Sequence, residues 1–134
     1  MTLTESATIE DVKQYWDRRP CNIRHSQKEV GSREYFDEVE ARKYFVEPHI
    51  PGFAEFPLWK GKRVLEVGCG IGTDAVNFAR NGAIYSAIEL SEASLDLARK
   101  RFEAFGLKGD LRQMDGERLA EDFDPDSFDL VYSF

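Results

Sequence analysis

The chain has 134 residues, a length for one domain, and its apolar share of 42% is enough for a buried core. The net charge is −7 with the basic residues scattered, which argues against a nucleic-acid backbone as the main partner and tolerates a cationic ligand. No apolar run approaches membrane-spanning length, residues 1–11 lack the pattern of a secretory signal, and Cys21 and Cys69 form neither a disulfide framework nor a metal site, so a cytoplasmic protein is expected.

Thr8 with Asp11 three residues on is a helix start, and a short helix through Val12, Tyr15 and Trp16 is expected to stop before Pro20. The stretch from Asp17 to Gly31 reads as loop. Ser32 then precedes a second helix with Tyr35, Val39, Arg42 and Phe45 or Val46 along its inner side, ended by Pro48 and Pro51. This aromatic region is expected to pack as a helical cap; Tyr15 and Tyr44 are the residues that a lid would use. Residues 52–62 read as a linker, so that 1–61 form an N-terminal helical extension and 62–134 the main domain.

Arg63 to Val67 is a buried strand, followed by the glycines Gly68, Gly70 and Gly72 and by a helix from Thr73 or Asp74, its expected caps, to Gly82. Ala83 to Glu89 is a second strand ending in a carboxylate. Ser91 caps a long helix whose core stripe is Leu95, Ala98, Phe102 and Phe105, closed by Gly106. Asp110 to Met114 is a third strand, Arg118 to Asp122 one helical turn, Asp124 to Ser127 a turn and Phe128 to Ser133 a fourth strand. Alternation of this kind predicts an α/β fold: a doubly wound parallel sheet with right-handed crossovers.

A strand, a bare loop and a helix N-terminus make a nucleotide-binding crevice. The dinucleotide fingerprint requires glycine at positions one, three and six, which here are Gly68, Gly70 and Thr73, and the phosphate loop of triphosphatases requires a Lys-Ser or Lys-Thr pair that is missing. The spacing is Glu66-x-Gly68-x-Gly70-x-Gly72 instead.

Val64-Leu65-Glu66-Val67-Gly68-Cys69-Gly70-Ile71-Gly72-Thr73 resembles the first motif of the class I S-adenosylmethionine-dependent methyltransferases. The resemblance continues in Ile88-Glu89-Leu90-Ser91, in Asp115-Gly116-Glu117 and in Ser127 to Ser133, four motifs in the family's order over residues 62–134. The region from Tyr15-Trp16-Asp17 to Phe56 resembles the N-terminal extension of the family's bacterial small-molecule enzymes. The resemblance implies a Rossmann-like sheet of order 3-2-1-4 and S-adenosyl-L-methionine as cofactor. It places Gly68, Cys69, Gly70, Gly72, Thr73 and Asp74 along the cofactor's methionine and ribose, and assigns Glu66 to orienting the loop and the amino-acid part. Glu89 would take the ribose hydroxyls, Leu90 the adenine face, Asp115 the adenine amino group with Gly116 and Glu117 beside it, and Ser133 would face the methionine half.

Methyl transfer is a direct displacement that needs alignment rather than a metal or a covalent enzyme intermediate. No residue is identified as a general base, and His25 and His49 read as surface or packing residues. The family's fold has seven strands, of which this chain supplies four, so a fragment with catalysis completed elsewhere is the expectation, with 128–133 as an exposed, aggregation-prone edge and a half-domain completed by self-association as the second alternative. Three readings stand: a methyltransferase acting on a small-molecule acceptor, a non-catalytic adenosine-binding or interaction module, and an NAD-dependent oxidoreductase disfavoured by Thr73.

Overall fold

The computed structural model describes residues 6–20 and 23–134, so Cys21 lies outside the described residues. Helix α1 runs Ile9–Arg18 and begins in a capping box: Thr8 Oγ1 accepts from the Asp11 amide, and the Asp11 carboxylate accepts from the Thr8 amide. A 3-10 turn, Ile23–His25, leads to α2, Arg33–Val46, capped by Ser32. The short helix α3 (Ile50–Ala54) and a 3-10 turn at Phe56–Trp59 follow. Then come β1 (Arg63–Val67), α4 (Thr73–Arg80), β2 (Ile84–Glu89), α5 (Glu92–Ala104), β3 (Asp110–Gln113), α6 (Leu119–Asp122) and β4 (Leu130–Tyr132).

The four strands are parallel and ordered β3-β2-β1-β4, as the resemblance implied. The chain moves from β1 to β2 to β3 in one direction and returns past β1 to β4. The sheet's switch point therefore lies between β1 and β4, beside the glycine loop. The core is aromatic: Phe78 of α4 meets Phe56 edge-on at 4.8 Å, Tyr132 at 5.0 Å and stacks on Tyr85 at 6.2 Å between ring centroids. A second cluster joins Tyr35, Phe36 and Val39 of α2 to Ile71 of the loop and Leu97 of α5.

Several boundaries depart from the sequence reading. Residues 52–62 are not an open linker: they carry the end of α3 and the second 3-10 turn, and Ala54 and Phe56 enter the main core. Pro51 does not end a helix but sits in the first turn of α3, where its missing N–H has no intrahelical partner to lose. The inner stripe of α2 is rotated from the expected one. Phe45 is 77% exposed and Arg42 and Val46 are exposed, while Phe36, Val39, Glu40, Lys43 and Tyr44 turn inward. The cause is polar, because Glu40 accepts from Asn77 Nδ2, Tyr44 donates to Asp74 and Lys43 pairs with Asp74. Tyr44 is thus an anchor of the cap, and Tyr15 stands exposed on α1.

Candidate functional site

The C-terminal ends of β1, β2, β3 and β4 bring the predicted residues together. The loop after β1 leaves the sheet through two amides, those of Gly68 and Cys69, which donate to the Ile88 carbonyl at 2.9 and 3.4 Å. Gly70 and Gly72 serve different ends. Gly70 has φ +57 and a Cβ there would meet nothing within 4 Å, so the position is open toward a ligand and demands only the left-handed backbone. Gly72 has φ +83 and a Cβ there would lie 3.2 Å from Ala98 Cβ, so it also sets how closely α4's start approaches α5.

Glu89 ends β2 with its carboxylate accepting the Leu90 amide at 2.9 Å. Burial holds its pKa above the ordinary carboxylate range, opposed by the amides of Leu90 and Gly70. Leu90 and Asp115 line a cavity of about 380 Å³ together with Gln113, Met114, Arg118, Glu121 and Asp122. Asp115 Oδ1 accepts the Glu117 amide at 2.9 Å and caps the 3-10 turn Gly116–Arg118. A Cβ on Gly116 would touch Val67 and Ile88, which fits the turn closely to the sheet. Ser133 Oγ donates to the Val67 carbonyl at 2.9 Å, tying the end of β4 to the last residue before the loop.

Other predicted residues are placed differently. Glu66 is buried beneath the loop, where its carboxylate accepts from Tyr85 Oη at 2.7 Å rather than from backbone amides. Burial pushes its pKa up to about 8, the Tyr85 hydrogen bond opposing. Cys69 is a buried free thiol, and burial followed by the charges of Glu66 and Glu89 pushes it well up, so it is kept protonated. Thr73 and Asp74 do not cap α4. The N-cap is Gly72, with no side-chain cap bond, because both side chains are committed elsewhere. Thr73 Oγ1 accepts from Arg101 Nη1 at 2.8 Å. Asp74 accepts from Tyr44 Oη at 2.8 Å and Tyr132 Oη at 2.9 Å and pairs with Lys43 Nζ at 3.2 Å. Glu117 lines a separate cavity on the other side of the α6 connection, with Leu65, Phe123, Phe128 and Val131.

Three further residues shape the site and were not singled out from the sequence. Asp17, at the end of α1, accepts from Ser91 Oγ at 2.8 Å and from the Ala93 amide at 3.2 Å, so the N-terminal helix seats on the start of α5 directly after Glu89 and Leu90. Arg101 is 1% exposed and reaches the Ile71 and Phe36 carbonyls as well as Thr73. Tyr132 joins β4 to α4 through Asp74. Asp17 and Tyr132 stand within stretches that carry the family resemblance but had no role assigned, and Arg101 had a signal of its own: a charged residue beside the apolar stripe Leu95, Ala98 and Phe102. Among the described residues no helix is long and apolar enough to cross a membrane, and no group of three His, Cys, Asp or Glu residues is placed to hold a metal ion.

The geometry can be set beside known proteins. A family model described as "Methyltransferase domain" matches residues 64–134. The ubiquinone biosynthesis O-methyltransferase of Pseudomonas aeruginosa is 39% identical over 71 residues, which cover 53% of this chain and 30% of that protein. The protein of the same name from Hahella chejuensis is 44% identical over 71 residues, 53% of this chain and 29% of that one. The chain thus spans under a third of the length of these curated relatives. Among solved structures, geranyl diphosphate C-methyltransferase from Streptomyces coelicolor superposes with a TM-score of 0.65 at 20% identity, covering 96% of this chain and 55% of that chain, a likeness of fold.

Proposed function

The chain belongs to the methyltransferase domain family, and from that membership we propose that it is the S-adenosyl-L-methionine-binding part of an enzyme that methylates a small-molecule acceptor. One observation carries the reading: Gly70, Glu89, Leu90 and Asp115 converge at the ends of three neighbouring parallel strands. There an open glycine position, a strand-end carboxylate and a polar–apolar cavity stand in the order that methionine, ribose and adenine require.

When bound, the cofactor supplies an electrophilic methyl group on a sulfonium. The chain's residues bind and orient. The Glu89 carboxylate has the two lone-pair-bearing oxygens that a ribose diol needs. Leu90 offers an apolar face and Asp115 an acceptor beside it, with Oδ1 already fixed by the Glu117 amide. Gly68 and Gly70 present backbone with no Cβ in the way. Ser133 and the Val67 carbonyl border the switch point between β1 and β4. Glu66, shielded from water, acts on the loop from below, and Thr73 and Asp74 hold the loop against the cap instead of reaching a ligand. The contribution to catalysis is alignment of the methyl donor with its acceptor. The family match covers this cofactor side; recognition of the acceptor falls to elements outside it, the N-terminal helices included.

The edge of β4 belongs to the same proposal. Val131 is exposed and β4 pairs with β1 alone among the described strands, an open edge that takes a further strand, by self-association if from a second copy. Isothermal titration calorimetry with S-adenosylhomocysteine and with NAD tests the functional reading. Saturable heat with the first and none with the second is expected; the reverse pattern sinks it.

A further inference from the structure

The cations of this acidic chain are not evenly matched. Lys13, Lys43, Arg80, Arg99, Arg112 and Arg118 each pair with a carboxylate. Of the cations with no carboxylate within 4 Å among the described residues, Lys60, Lys62, Arg63, Lys100, Arg101 and Lys108 are scattered over the rest of the chain, whereas Arg18, Arg19, Arg24, Lys28 and Arg42 line two adjoining cavities at the N-terminal cap. One, of about 490 Å³, lies between the end of α1 and the first 3-10 turn and is lined by Arg18, Arg19, Pro20, Ile23, Arg24 and His25. The other, of about 940 Å³, shares Arg24 and His25 and runs along the outer face of α2 past Lys28, Arg42 and Phe45. The single carboxylate in this lining, Glu38, accepts from Ser26 Oγ.

The walls are not purely polar. Pro20 and Ile23 line the first cavity and Ala41 and Phe45 the second, so a ligand carrying an apolar body beside its charge is matched on both counts. The turn that bears Arg24 is fixed from below by the Tyr35 hydroxyl, which donates to the Ile23 carbonyl. Burial first, and the Arg42 charge second, hold the His25 imidazole below its usual pKa, so the charge of the groove comes from its guanidinium and ammonium groups. The groove is tied to the crevice through chain adjacency. Arg18 follows Asp17, the residue that docks α1 on Ser91 and Ala93 at the rim of the candidate cofactor site.

We propose that this groove is a binding subsite for a small organic anion, a carboxylate or phosphate on an apolar body, carried by the methyl acceptor. Arginine supplies paired N–H donors in the plane that such groups match, and lysine a point charge. The acceptor role rests on the methyltransferase reading above; the recognition of an organic anion does not.

The test uses the full chain, with benzoate, phenyl phosphate and inorganic phosphate as probes. The readout is NMR of the His25 ring and the arginine side chains, with a parallel calorimetric titration of S-adenosylhomocysteine. Saturable shifts at His25, Arg24 and Arg42 are expected with the two organic anions, and weaker binding of inorganic phosphate, which gains nothing from Ile23 and Phe45. The double variant Arg24→Gln/Arg42→Gln, both at exposed positions, should weaken the organic anions about tenfold or more, as expected for lost charge-assisted bonds, and leave the cofactor titration unchanged. Absent shifts, shifts that persist in the double variant, or inorganic phosphate binding as tightly as phenyl phosphate overturn the proposal. So does a single-stranded oligonucleotide that outcompetes both organic anions. Organic-anion binding without any S-adenosylhomocysteine binding keeps the anion site and removes the methyltransferase reading.

Discussion

Arg101 and Thr73 are joined by a buried hydrogen bond of 2.8 Å from a guanidinium that has no carboxylate partner. The same group donates to the Phe36 carbonyl at 2.9 Å and lies over the Phe36 ring at 5.0 Å, so one side chain of α5 holds the glycine loop and the cap helix α2 together. Burial draws its pKa down to about 10, yet it stays charged at neutral pH. Arg101→Met keeps much of the volume but removes the donor to the Ile71 carbonyl and the Thr73 hydroxyl and the second donor to the Phe36 carbonyl, which keeps its helix bond. We expect a loss of about 2–4 kcal/mol in urea denaturation, together with weaker binding of S-adenosylhomocysteine. A variant as stable as the parent would show that the guanidinium is dispensable to the loop.

The two loop glycines make separable predictions. Gly70→Ala puts a side chain into left-handed backbone in open space, a strain of about 1–2 kcal/mol. Gly72→Ala adds to that strain a contact at 3.2 Å with Ala98 and should cost more stability. Cofactor affinity should respond in the opposite order, falling further per unit of lost stability at Gly70, which faces open space. Denaturation and calorimetry on the two variants check this, and a reversed ranking in both contradicts the division of roles.

Glu66 makes stability depend on pH. Its pKa is pushed from 4.5 to about 8 in the folded chain, so between those values the folded state holds a proton that the unfolded state has released. Stability therefore falls as pH rises through that window, and the loss is complete above it. Glu66→Gln keeps an acceptor for the Tyr85 hydroxyl and removes the titration. Urea midpoints at pH 5.5 and 8.5, on the order of the window's two ends, should differ more in the parent than in the variant. Equal slopes would place the titrating group elsewhere.

Asp17→Ala removes the acceptor for Ser91 Oγ and the Ala93 amide at the start of α5. A cost of about 1 kcal/mol is expected, the size of a lost helix cap. Hydrogen exchange should quicken along α1 while the amides of β1 and β2 keep their protection. Unchanged exchange in α1 would mean that packing alone seats it.

How much of this was legible in the sequence follows from the range of each interaction. The four strands, the Thr8, Ser32 and Ser91 caps and the Gly106 stop are written in local pattern and capping chemistry, and they stand where expected. What was misread depends on partners distant in the chain. Asp74 reads as a helix cap until Tyr44 and Tyr132, 30 residues before it and 58 after it, claim its carboxylate. Arg42 and Phe45 or Val46 read as the inner side of α2 until Glu40, Lys43 and Tyr44 fix the helix's rotation. Residues 52–62 read as a linker because Pro and Gly mask an apolar contact, Phe56 on Phe78, that no local pattern encodes. At the candidate site, Glu89, Leu90 and Asp115 were legible as candidates because Glu89 ends β2, Leu90 follows it and Asp115 lies two residues past β3, in motifs that the family resemblance marks. Asp17 was not, because its partners lie 74 and 76 residues away.

The central claim is that an adenosine–methionine ligand lies across the ends of β1, β2 and β3. An amide NMR map of the chain titrated with S-adenosylhomocysteine tests it most directly. The account predicts saturable shifts at Gly68, Gly70, Glu89, Leu90, Asp115 and Gly116, with Phe123 and Val131 on the far cavity unmoved. Shifts confined to that far cavity, or none at the glycine loop at saturating ligand, would contradict it.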